Sequence, residues 1–240
     1  MQFDRAAAKK DAKTKIKTGL GTLLLITLIY SVISAVNVPI IVWLVIGCLS
    51  IGFSAVYLKK VRGTNVNVGD LFDGFRGDHG ASRGFFGWCR QFFFTLFWSL
   101  LFLIPGIVKS LAYSQMWFLL ADHPEMSAKD AQKISIAWMK GHKSEYFVLL
   151  LSFLGWILLP ALALAIIAAV AYSGNVALVE AVTLILGVAY FAFSLVYLTP
   201  FIEATAANYY LYLKALNEAS DKQSVANPTK QPADSVTVSK

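Results

Sequence analysis

Apolar residues along this chain fall in unbroken blocks, not in the spaced stripes of soluble helices. Leu20–Val36 and Ile40–Leu58 are separated by a polar turn around Asn37 and Pro39. A third block runs from Phe85 to Ala121 with Pro105-Gly106 in its middle. Tyr146–Tyr172 and Ala177–Leu198 are divided by Ser173-Gly174-Asn175 and closed by Thr199-Pro200. Blocks of 17 residues or more without a formal charge cross a hydrocarbon layer about 30 Å thick. The pattern predicts an all-α polytopic membrane protein.

The third block decides the topology. As one helix its 37 residues would reach about 55 Å at 1.5 Å per residue, too long for a single crossing. Proline lacks the N–H and disfavours helix in the residue before it, while glycine permits a reversal. A turn at Pro105-Gly106 therefore divides the block into two spans, and the expectation is six spans in three hairpins: about 20–36, 40–58, 87–104, 107–121, 146–172 and 177–198.

Charge points the same way, because basic residues in short loops mark the cytoplasmic side. With six spans, twenty of the 21 basic residues fall on one side, and Lys109 alone falls on the other. Both termini are then cytoplasmic. The basic N-terminus followed by an apolar run has the look of a signal peptide, but 17 residues exceed the usual 7 to 15 of such a run, and a second block follows at once. It reads as an uncleaved first span. The net charge of +7 and mean hydropathy of +0.61 fit this orientation signal, with anionic lipid head groups as candidate partners, and argue against nucleic acid.

Between and after the spans, Ser127-Ala128-Lys129-Asp130 opens a capping-box-like segment, with Ala131, Ile134 and Trp138 at helical spacing. It predicts an interfacial helix over about 127–140, serving as a connector or as a partner-docking surface, with Trp138 at head-group level. Ile202, Ala206, Tyr209 and Leu213 extend a stripe beyond Pro200, predicting a bend there and a second interfacial helix over about 201–217. Residues 62–84 read as a polar loop, with Leu71, Phe72 and Phe75 as the apolar members of a short turn of helix and aspartates that lack calcium-loop spacing, and 220–240 as a disordered tail.

Candidate chemistry is sparse. Cys48 and Cys89 read as packing residues, and the scattered His79, His123 and His142 give no zinc pattern. No hydrolase, nucleotide or metalloprotease motif is present, so the expectation is no cofactor and no enzyme. Lys109 and Glu180 are the two charges on the outer side; they snorkel separately, pair, or form a relay. Glu203, just past Pro200, is the remaining acid close to a span.

The run LFLIPGIVKSLAYSQMWFLLADHPEMSAKDAQKISIAWMKGHKSEYFVLLLSFLGW, with TPFIEATAANYY, resembles the bacterial membrane family called domain of unknown function 975. The resemblance rests on Ile104–Ile107 with Lys109, Asp122 and Pro124, Ser135, Met139, Lys140 and Gly141, Ser152, Phe153 and Trp156, and Pro200, Ala206, Ala207 and Tyr210. It covers most of residues 10–216. The family is more distantly similar to the non-catalytic membrane portion of some glycerophosphodiester phosphodiesterases. Where a glycine-rich step would follow Trp156, this chain has PALALAIIAAVAYSGN. The resemblance implies a six-helix bacterial plasma-membrane domain without an established activity.

Two functional classes follow as expectations. One is a non-enzymatic scaffold, accessory or envelope-protection protein, packing through small residues such as Ala161, Ala163, Ala165, Ala168 and Ala169 against a membrane partner or a second copy. The other is a permease for small solutes or peptides, using helices broken at Pro105 and Pro200.

Overall fold

The structure is a computed structural model that describes residues 3–17, 19–35, 39–76, 80–101, 103–171 and 176–226. It is all-helical, with no strand among the described residues. The helices are α1 (Arg5–Lys17), α2 (Leu20–Ala35), α3 (Pro39–Val61), α4 (Gly80–Leu101), α5 (Leu103–Tyr113), α6 (Met116–Asp122), α7 (Ala128–Trp138), α8 (Lys143–Ala171), α9 (Val176–Phe193) and α10 (Thr199–Ala226). A 3₁₀ helix, Val68–Phe75, follows α3, and a π-helical stretch, Ser194–Leu198, joins α9 to α10.

Helices run through the described residues of each of the five apolar blocks, but among the described residues only one run is by itself long and apolar enough to be a membrane-span candidate. It is the 42-residue Val182–Gln223, through α9, the π stretch and α10. Its most apolar window is almost wholly exposed, unlike a core helix of a soluble protein. Leu184, Ile185, Val188 and Phe191 all face outward, an apolar surface that calls for lipid or a partner.

Several local expectations are corrected. The chain does not turn at Pro105-Gly106: α5 opens at Leu103, so Pro105 lies in its first turn. There the missing N–H would have had no helical partner, which is why proline is accepted. The hairpin nonetheless exists. Lys109 Nζ lies 4.8 Å from the Trp98 ring centre, Phe94 meets Tyr113 at 6.5 Å, and Gly87 lies against Trp117 and Leu120. Each step back along α4 is matched by a step forward along α5 and α6, so they run antiparallel.

Nor does the helix turn away at Pro200. The proline ring cannot sit against the carbonyl four residues back and offers it no N–H. The chain answers by widening to a π turn, with the Thr199 N–H reaching the Ser194 carbonyl. Thus 201–217 runs straight on from α9 through the π stretch. Ala204, Ala207, Tyr209, Tyr210 and Leu213 are fully buried, and α10 is a central strut packed by α1 and α3. It continues to Ala226, so 220–226 are helical; the rest of the expected tail, 227–240, lies outside the described residues.

The predicted capping of α7 holds: the Ser127 side chain accepts from the Asp130 N–H. Lys129, Lys133 and Lys140 are exposed, as the polar face of the predicted interfacial helix requires, while Ala131, Ile134 and Ser135 are buried and Gln132, expected on the polar face, is buried with them. Trp138 is half-buried, with its ring packed on Tyr210 at 5.8 Å. Residues 68–75 of the expected polar loop form the 3₁₀ helix, docked on α3 with Leu71 completely buried. Lys59 pins it through Asp70 (2.9 Å) and Asp73 (2.7 Å). The basic stretch before Leu20 forms α1, which meets α2 at 96° where Gly19 takes a φ of +92°.

The buried core occupies one end of the bundle, where α3, α6, α7, α10 and α1 converge. Elsewhere packing is looser: a cavity of about 260 Å³ between α8 and α9 is lined by Pro160, Ala163 and Ala189.

Candidate functional site

The converging end is built around one carboxylate. Asp122, the last residue of α6, accepts from Arg62 Nη1 at 2.7 Å, from the Tyr210 hydroxyl at 2.9 Å and from Lys214 Nζ at 2.6 Å. Arg62 follows α3, while Tyr210 and Lys214 stand one turn apart on α10. The Asp122 side chain is 8% exposed. Burial by itself would raise its pKa, but the bonds from Arg62, Lys214 and Tyr210 outweigh that and hold the carboxyl well below the usual carboxylate range. One anion thereby ties three helices that are distant in sequence.

Around it the backbone ends are capped. Arg83 of α4 donates to the carbonyls of Leu120 (2.6 Å), His123 (2.9 Å) and Met126 (2.8 Å). Leu120 lies in the last turn of α6 and His123 just past it, where helix carbonyls lack helical partners and a cation is favoured, while Met126 belongs to the loop before α7. On α7, the Ser135 hydroxyl donates to the Ala112 carbonyl at 2.8 Å, and Gln132 accepts from Arg90 at 2.7 Å. The helix is thus bolted across α5 and α4.

A second carboxylate holds the N-terminal segment. Glu145, in the first turn of α8, accepts from the Phe3 N–H at 2.9 Å and lies 3.1 Å from His142 Nδ1. Phe3 meets Tyr209 edge-on at 4.8 Å, and Asn208 donates to the Ala8 carbonyl at 3.1 Å.

Of the residues singled out from sequence, Asp122 and Ser135 enter this assembly, and Gly141 closes the turn after α7 with a φ of +86°. Lys140 is exposed beside it. The others are dispersed. Pro105 and Gly106 lie in α5; Trp156 is exposed on α8, stacked with Phe193 at 6.2 Å; Pro200 is buried in α10. Glu203 is half-buried on α10, within electrostatic reach of Tyr57 and Tyr146. The ammonium of Lys109 sits over Trp98, whereas the Glu180 side chain lies outside the described residues, so their pairing rests on sequence alone.

Arg62, Arg83, Glu145, Tyr210 as a donor and Lys214 were not visible as a set. A basic residue after an apolar run reads first as an orientation signal, and only the fold reveals which carboxylate it meets. Among the described residues, no three of His, Cys, Asp and Glu are placed to share a metal ion. Cys48 is buried and Cys89 half-buried, both as free thiols.

A family model described as protein of unknown function (DUF975) matches residues 86–217. No curated protein and no solved structure matches the chain, which leaves the more distant likeness to glycerophosphodiester phosphodiesterases without support.

Proposed function

The chain belongs to the DUF975 family, whose function is unknown, and we propose from its geometry that it is a non-enzymatic scaffold or accessory protein, or an envelope-protection protein, of the bacterial plasma membrane. The observation that carries this is the clasp at Asp122. The strongest charges around Asp122 are spent on one another and on helix termini, which makes a fixed platform at that end. The outward faces of α4, α8 and α9 remain bare and apolar, suited to lipid, a membrane partner or a second copy.

The proposal includes six spans with both termini inside. Its support is that each apolar block is helical, that α4 and α5 run antiparallel, and that twenty basic residues then share one side. Anionic head groups fit the same face. A cavity of about 500 Å³ at the start of α2 is lined by Lys15 and Lys60 together with Thr22 and the loop after α3.

The permease reading keeps one favourable feature. Its broken helices are not at the prolines, but the helix is interrupted between Tyr113 and Met116, where Gln115 is buried with Oε1 unpaired. Cross-linking mass spectrometry in native membranes separates the two readings. A scaffold gives reproducible cross-links from α8 or α9 to one partner or to a second copy. A chain that stays uncross-linked, and supports solute flux when purified into liposomes, overturns the scaffold reading.

A further inference from the structure

Helix α1 turns into α2 at 96°, and the loop after α3 comes against that turn, enclosing the cavity of about 500 Å³ lined by Lys15 and Lys60. Lys60, in the last turn of α3, is only 9% exposed, yet it borders this space. Its Nζ reaches the corner because residue 19 is glycine: a Cβ there would stand 3.0 Å from it. Lys15, on α1, is 35% exposed and reaches Asp11 at 2.8 Å. An exposed pair one turn apart is weak, and the ammonium keeps further N–H donors. Thr22, Thr64 and Asn65 add a neutral polar rim, and no carboxylate or aromatic ring stands among the described lining residues.

Two cations around a space without a carboxylate in its walls select a negatively charged group. Burial pushes the pKa of Lys60 below the ordinary lysine value, because the charge loses hydration, and an anion beside it offsets that loss. The N-terminal end of α2 adds a weaker attraction of the same sign. What the anion is attached to follows from the surroundings. In the six-span reading, on which this inference rests, α2 begins and α3 ends at the inner face of the bilayer, so the cavity lies at head-group level. Beyond Thr22, residues Leu25, Leu28 and Val32 follow along one face of α2 at helical spacing, and all three are exposed. They lie about 8 to 18 Å along the helix from its first residue, inside the hydrocarbon. A polar end at the interface with an apolar track leading inward matches, in that order, a lipid head group and its acyl chain. An amine head group would set its own ammonium against Lys15 and Lys60, whereas a glycerol head group brings hydroxyls that bond with Thr64 and Asn65.

We propose that this corner binds a lipid with an anionic phosphodiester and a polyhydroxyl head, the chemistry of phosphatidylglycerol. The phosphodiester lies between the ammonium groups of Lys15 and Lys60, the glycerol hydroxyls meet Thr64 and Asn65, and one acyl chain lies along Leu25, Leu28 and Val32.

Native mass spectrometry of the full chain, released from detergent with measured amounts of phosphatidylglycerol, phosphatidylethanolamine and phosphatidylcholine of identical acyl chains, reads the affinity for each. The expected result is one saturable phosphatidylglycerol, bound about tenfold or more tighter than either zwitterionic lipid and not displaced by inorganic phosphate at equal concentration. Lys15→Gln together with Lys60→Gln lowers that affinity about tenfold or more, to the level of the zwitterionic lipids. Lys13→Gln together with Lys17→Gln removes the same charge from exposed positions of α1 and leaves the affinity unchanged. Where the buried substitution at Lys60 disturbs folding, Lys15→Gln alone still lowers the affinity several-fold. Four results overturn the proposal: equal affinity for the three lipids; an equal loss in the Lys13 and Lys17 variant, which makes the attraction diffuse; displacement by inorganic phosphate, which makes the cavity a site for a free anion; or binding unchanged in both Lys15→Gln and the double variant. A small reporter inserted between Met126 and Ala131 tests the six-span reading separately. A reporter on the inner face with no selective lipid removes this inference alone, whereas one displayed outside intact cells removes the six-span reading and the inference with it.

Discussion

Asp122 is the residue on which the buried end depends most. Replacing it with alanine leaves Arg62 and Lys214 facing each other without their anion and strands the Tyr210 hydroxyl. Removing one partner of such a buried group costs about 3 to 5 kcal/mol. Arg62→Ala, by comparison, removes a side chain that is 38% exposed and leaves Lys214 in place, so it costs less. Thermal unfolding of the purified protein in detergent should rank the two in that order. The pH dependence follows from the direction of the shift. A carboxyl whose folded pKa is depressed contributes stability that is present above its ordinary value of 3.8 and is lost as pH falls through the folded one. Stability owed to this clasp should be flat from neutral pH down to about 5 and decline below 4, and in Asp122→Asn that part of the decline should be missing. Sequence marked Asp122 only through a family resemblance. Its partners lie 60, 88 and 92 positions away, and no local pattern links them.

At the level of helices, glycine decides how closely α3 and α4 approach. A Cβ on Gly84 would stand 2.5 Å from the Cys48 backbone nitrogen, and one on Gly47 would stand 2.0 Å from the Gly84 carbonyl oxygen. Backbone cannot give way there, so Gly84→Ala should destabilise by about 1 to 3 kcal/mol or more. Gly187 has open space at the same position, and Gly187→Ala should be neutral or stabilising by up to about 1 kcal/mol from helix propensity. A paired comparison of melting temperatures tests both. The helices were legible because apolar block length and capping chemistry are local: the starts of α2 and α7 fell where sequence put them. The two proline predictions failed for a local reason as well. A proline ends a helix only where its missing N–H and its ring conflict with the turn before it. A first-turn position avoids that conflict and a π turn relieves it, and residue order alone does not say which applies.

Across the whole molecule, the sidedness of the chain is the most exposed claim. A small reporter inserted between Met126 and Ala131 should be reached only from the face that also displays the N-terminus. Labelling of that reporter from outside intact cells would end the six-span reading. Block lengths, hairpin turns and the segregation of lysine and arginine are properties of the linear chain in a layered solvent, so helix content and a proposed orientation could be taken from residue order. The site could not. A polar residue in an apolar protein must find a partner, but which one depends on which helix ends the packing brings together. That matching is set by long-range contact: Gly84 on Cys48, Leu71 on Gly52, and α10 running on through Pro200 to carry Tyr210 and Lys214 to Asp122. Sequence determined that the chain is helical and apolar in blocks; tertiary packing alone decided which of its few charges meet.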